Sequence, residues 1–209
     1  MKILILNKHP DDTLGGSEFQ CDLIASHLAS FGHDVIYGVI KPRKIDYGEK
    51  KYRIRPLARA ADYLRCLKSE KPDIIYWRYN KNKLFPAVIG AKLFNVKFVF
   101  AISHVQDTQA WGWKRINRSL PLLRKIKIIF KRAKPLLVNG INHLGFFLVD
   151  GVVANNNDHC GKLSPKKQVA IHNSLGVKDV AAFGWKRPSV LWVSDIGSRK
   201  QPHLLIQLA

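Results

Sequence analysis

Acidic residues are scarce in this chain of 209 residues: 15 Asp and Glu stand against 35 Lys and Arg, for a formal net charge of +20. Between Thr108 and Val149 there is none at all. Such an excess repels cationic partners and draws polyanions, whether nucleic acid, anionic lipid or a phosphorylated substrate. Cysteine is nearly as rare. Cys21, Cys66 and Cys160 are far apart and odd in number, which excludes a zinc knuckle and a disulfide framework; the reading is three small buried hydrophobes in a reducing cytoplasm. Long apolar runs are missing too. A spanning helix needs roughly 20 apolar residues, yet Ala87–Ile102 is broken by Lys92 and Lys97, and Leu136–Ala154 by Asn139, Asn142, His143 and Asp150. The opening MKILILNKHP carries Lys8 and Pro10 and no cleavage site, so it is not a secretory signal. The expectation is a soluble cytoplasmic protein, at most peripheral on the inner face of a membrane.

What is present is an alternation of strands and helices. Lys2–Leu6 is a short aliphatic run of the kind found in buried parallel strands. A loop, NKHPDDTLGG, leads to Ser17 as an expected N-cap. Phe19, Leu23, Ile24, Leu28 and Phe31 then follow at helical spacing, and Gly32 closes the helix. Val35–Ile40 completes a β-α-β unit. Further helices are expected over Arg59–Ser69, stopped by Pro72, and over Pro86–Phe94; further strands over Asp73–Trp77, Lys97–Ile102, Gly151–Ala154, Gln168–Ile171 and Ser189–Ser194. A brief helix is expected from Asn157. This alternation implies an α/β fold, a doubly wound, Rossmann-like parallel sheet with right-handed crossovers. Ligands bind such sheets beyond the carboxyl ends of the strands, which directs attention to the loops after Leu6, Trp77 and Ile102. The strand at Ser189–Ser194 and the helix from Gln201 read as the opening of a second domain. The expected division is therefore 1–186 and 187–209, with the second domain truncated.

Two features bear on chemistry. Gly15 and Gly16 let the backbone approach a phosphate where the first helix points its free N–H groups, although a tight strand-to-helix turn would use the same residues. Between Lys114 and Lys134 lie nine basic residues, with Leu120, Leu123, Ile126 and Phe130 at helical spacing. That composition suits a helix lying on an anionic membrane surface, and equally a solvated helix face. Trp111 and Trp113, just before it, could sit at a headgroup interface or line a sugar site.

Five segments in order resemble the family-4 retaining glycosyltransferases of GT-B type. They are GGSEFQCDLIASHLASFGHDV from Gly15, KPDIIYWR from Lys71, VKFVFAISHVQD from Val96, DGVVANNNDHCGKL with VAIHNSLGV, and VLWVSDIGSRKQPHLLIQLA from Val190. The resemblance touches most of the chain and implies the N-terminal acceptor domain of such an enzyme. It implies a nucleotide-sugar donor, a glycan or lipid-linked acceptor, and polysaccharide biosynthesis as the setting. It implies His104 as the first-domain histidine near the transferred sugar, and Gly15, Gly16 and Lys200 around the donor diphosphate. Neither a cofactor nor a metal is implied. Ser194 and Asp195 depart from the family's Gly-Arg pair, and the paired glutamates of the donor domain are absent, so turnover by this chain alone is not expected.

Two other classes compete. HPDD followed by LGG is similar to the zinc-binding opening of PIG-L/LmbE-type N-acetylglucosamine deacetylases, which would make His9 and Asp12 ligands, Asp11 the base and His159 a later ligand. Thr13 stands where that family has a glutamate. A basic nucleic-acid-binding module is suggested by charge alone, without a helix-turn-helix or other binding signature, so no nucleic-acid partner is expected.

Overall fold

The structure is a computed structural model. It describes residues 1–13, 15–44, 46–102, 138, 140–155 and 167–171. The chain divides into Met1–Leu175 and Gly176–Ala209, and all of the described residues belong to the first unit. The expected strand Ser189–Ser194, the boundary at 186/187, the helix from Asn157 and the basic stretch 114–134 lie outside them.

Seven described strands form one parallel sheet: β1 (Lys2–Asn7), β2 (Asp34–Ile40), β3 (Arg53–Leu57), β4 (Ile74–Trp77), β5 (Lys97–Ala101), β6 (Gly151–Ala154) and β7 (Lys167–Ala170). Their order is β3-β2-β1-β4-β5-β6-β7. This is the doubly wound Rossmann-like arrangement, whose order reverses between β1 and β4. Helix α1 (Gly16–Ser30) links β1 to β2, α2 (Ala60–Glu70) links β3 to β4, and α3 (Leu84–Leu93) links β4 to β5. A fourth helix, α4, over 140–148 precedes β6.

Alternation within β1 explains the layers. Leu4 and Leu6 point to the face packed by α2, α3 and α4, where Cys66, Leu67, Val88, Phe98, Phe100 and Phe146 close the larger core. Ile3 and Ile5 point to the opposite face, packed by Cys21 and Ala25 of α1 with Tyr37, Tyr47 and Tyr52. Each fully buried Leu, Ile or Phe contributes roughly 1.5–3 kcal/mol. Burial pushes the Cys21 thiol up to about 11, so it behaves as the inert hydrophobe expected of it.

Local signals fit with corrections. Helix α1 begins two residues earlier than the Ser17 cap suggests: Gly15 is the N-cap, its carbonyl accepting the Phe19 N–H at 3.0 Å. Its end is as expected. Gly32, at φ +80°, lets its own N–H reach Ala29 O at 3.0 Å and the His33 N–H reach Leu28 O at 3.1 Å, a Schellman closure. Helix α3 likewise starts at Leu84, before Pro86, which sits in its first turn where a missing N–H costs nothing. Strand β3 carries no aliphatic run to announce it. It is an edge strand in which Arg53, Arg55 and Pro56 are exposed, and an edge tolerates Pro56 because one side of its backbone has no ladder to satisfy.

Glu70, at the end of α2, ties that edge down. Its carboxylate accepts from Arg53 Nη1 and Arg55 Nη2, both at 3.0 Å, while Lys2 Nζ donates to its carbonyl at 2.8 Å. Burial alone would raise the carboxyl, but the two guanidinium groups outweigh it and hold Glu70 below the usual carboxylate range. A depressed carboxylate contributes stability that is present above the ordinary pKa and lost as pH falls through the folded value. Glu70→Gln is therefore expected to cost about 1 kcal/mol at pH 7. In urea melts across pH, that deficit should shrink towards zero as the pH drops through the carboxylate range.

Candidate functional site

The carboxyl ends of β1 and β4 meet at the point where the strand order reverses, and three groups converge there on the α1 side of the sheet. The first is the start of α1. Gly15 and Gly16 are exposed, and among the described residues nothing lies within 4 Å of where a Cβ on Gly16 would be. The second is Asn7 at the end of β1, whose amide lies 3.4 Å from Cys21 Sγ and whose Oδ1 accepts the Lys8 N–H at 2.9 Å. The third is Arg78. It follows Trp77 directly, so the strand pleat turns it to the α1 face, and its backbone N–H donates to Leu6 O at 3.1 Å. Its side chain is buried and reaches past β5 to donate to Asn155 Oδ1 at 3.2 Å, beyond the end of β6. Arg78 also lies close enough to Cys21 to act on that thiol, as does Glu18.

Glu18 complicates the anion site. Its Oε2 accepts from Ser17 Oγ at 2.7 Å and lies where a Cβ on Gly15 would be. A carboxylate in the first turn favours the helix dipole, but it also occupies ground that a phosphate would want. A Cβ on Gly15 would push the Glu18 carboxylate out of this position.

Of the residues singled out from sequence, Gly15 and Gly16 are brought to the strand-end crevice. His104 and Lys200 lie outside the described residues, as do Trp111 and Trp113. Arg78 and Asn155 were missed as site residues. The available signal was a charged residue immediately after a buried strand at the ligand edge.

The HPDD segment folds as a structural knot. His9 is fully buried, with its ring centroid 5.2 Å from Tyr37 and 4.7 Å from Tyr47. Its Nδ1 accepts the Asp11 N–H at 3.2 Å, which leaves the proton on Nε2, 3.1 Å from Tyr52 Oη. Tyr52 in turn donates to Asp22 of α1. Asp12 accepts from Lys44 N at 3.0 Å and Tyr47 Oη at 2.8 Å. Both ring nitrogens of His9 are thus engaged within the protein, and each oxygen of Asp12 already accepts one hydrogen bond. Among the described residues no group of three His, Cys, Asp or Glu side chains could hold a metal ion; His159 lies outside them. Burial lowers the His9 pKa despite Asp11 nearby, so the ring is neutral. The knot has a plain purpose: the β2–β3 connection carries no helix, and Tyr47 and Tyr52 cover the sheet in its place.

No protein-family model and no curated protein matches the chain. Among solved structures it is similar to the binary complex of leucoanthocyanidin reductase with NADPH from Vitis vinifera, at 13% identity and a TM-score of 0.36, covering 68% of this chain and 46% of the reductase. The ternary complex of that reductase aligns at 14% identity and a TM-score of 0.39, over 80% of this chain and 54% of the other. The chain spans about half the length of these reductases. Among the described residues no helix is long and apolar enough to cross a membrane.

Proposed function

We propose that this chain is the acceptor-binding half of a retaining GT-B glycosyltransferase, acting on a nucleotide-sugar donor and a glycan or lipid-linked acceptor. The observation that carries the reading is the exposed Gly15–Gly16 helix N-terminus at the crevice where the strand order reverses, with the buried Arg78 at the end of the neighbouring strand. Departure of a nucleoside diphosphate develops charge on its phosphate oxygens. Backbone N–H groups and a fixed guanidinium are suited to that charge because they are already oriented when it appears. The roles of His104 and Lys200 rest on the family resemblance alone. The zinc-deacetylase alternative is disfavoured by the committed nitrogens of His9, and nothing beyond net charge favours a nucleic-acid module.

The test is titration of the isotopically labelled chain with uridine and guanosine diphosphates and their sugars. The Gly15 and Gly16 amide resonances are expected to shift. Glu18→Gln should tighten binding about two- to fivefold by clearing a competing carboxylate. Tighter binding of NADPH than of any diphosphate, or silent glycine resonances at saturation, would overturn the reading.

A further inference from the structure

On the opposite face of the same sheet rim lies a cavity of about 210 Å³ that the proposed sugar chemistry does not use. Leu6, Leu57, Tyr63 and Trp77 are among the residues of its wall, and Arg59 and Lys83 complete the lining. These last two are exposed, at the starts of α2 and α3, so the mouth is cationic while the interior is apolar. Trp77 is only 4% exposed, and its indole Nε1–H meets no acceptor among the described residues. A buried donor left without an acceptor is uncommon, and this one has a polar atom to offer a ligand in the cavity.

The space has a cause in sequence. Gly38 of β2 lies under Leu6 and Leu57. A Cβ there would come within 2.5 Å of Leu6 Cδ2 and 2.8 Å of Leu57 Cδ1. Glycine lets both leucines sink towards the sheet, and the cavity opens above them. A larger residue would drive them up into it.

We infer that this cavity binds a small amphiphilic anion: an apolar body of about ring size carrying a hydrogen-bond acceptor for Trp77 Nε1, ended by a carboxylate or phosphate held between Arg59 and Lys83. The volume suits this class, since a cavity of ~150 Å³ accepts benzene. The charge at the mouth suits it too. Asp62, the acid of the α2 first turn, is engaged by the Arg59 N–H at 2.8 Å and by Arg65 Nη1 at 2.9 Å. Helix α3 has no acid in its first turn. The site stands whether or not the chain transfers sugars.

The probe is 3-(4-methoxyphenyl)propionate, compared by calorimetry with its neutral alcohol and with 4-methoxyphenyl phosphate. Binding of the acid is expected at roughly millimolar affinity or tighter, and the alcohol should bind several-fold more weakly. Whichever anion binds better names the natural end group. Trp77→Phe keeps most of the apolar wall and removes the donor, and should weaken the acid about fivefold. Arg59→Ala with Lys83→Ala should erase the preference for acid over alcohol. Ala87→Leu, which adds bulk to the lining within a helix, should abolish binding. In the unmodified chain the Trp77 indole N–H resonance should move downfield on saturation, a readout that does not depend on any variant folding. A stationary indole resonance, or equal affinity for acid and alcohol, would overturn the inference.

Discussion

His9→Ala is expected to destabilise the chain by about 3 kcal/mol, close to the cost of a deleted core aromatic. The ring is fully buried between Tyr37 and Tyr47, and it spans the β1–α1 loop and the β2–β3 connection through Asp11 and Tyr52. Removing it leaves a void, strips the Asp11 N–H of its acceptor, and loosens the tyrosines that stand in for a helix. Hydrogen exchange in residues 46–52 should therefore accelerate more than exchange in β5. The pH dependence has a definite sign. Burial depresses the His9 pKa, so a neutral ring contributes stability that is complete above the ordinary histidine value near 6.5 and is lost as pH falls below it. The gap between wild type and His9→Ala should narrow on acidification through that range. Zinc should leave the urea midpoint of the wild type where it is. Stoichiometric stabilisation by zinc would restore the metal reading and sink the knot.

The knot shows what residue types alone leave undecided. His, Asp and Asp after a strand are the residue types a zinc site needs, and they are equally the types that cap and cross-link a loop. What decides is whether Tyr37, Tyr47 and Tyr52 close over them, and those lie 25 or more residues downstream. Strands β1, β2, β4, β5 and β6 were legible because buried parallel strands need uninterrupted aliphatic or aromatic runs. β3 was not, because an edge strand with Arg53, Arg55 and Pro56 satisfies no such pattern. The glycine turn was legible because Gly15 and Gly16 have few other uses before a helix. Arg78 was not: its burial depends on Asn155, 77 positions away. The cavity beside Trp77 depends on a glycine in a strand to which it is not even paired.

Arg78→Met should lower the affinity for nucleoside diphosphates by about 10- to 100-fold while leaving the sheet intact. The magnitude follows from one or two hydrogen bonds between charged partners at roughly 1.5–3 kcal/mol, with each 1.4 kcal/mol a factor of ten. Methionine keeps an unbranched apolar stem of similar reach, and the urea midpoint is the control. Arg78→Lys should recover only part of the loss, because an ammonium lacks the planar fork that can hold Asn155 and a phosphate oxygen together. Asn155→Ala supplies the complementary case: the guanidinium keeps its charge but loses its tether, so affinity should fall less than in Arg78→Met. If Arg78→Met bound diphosphate as the wild type does, the buried guanidinium would be a strand-end brace and the crevice on the α1 face would lose its claim to be the donor site.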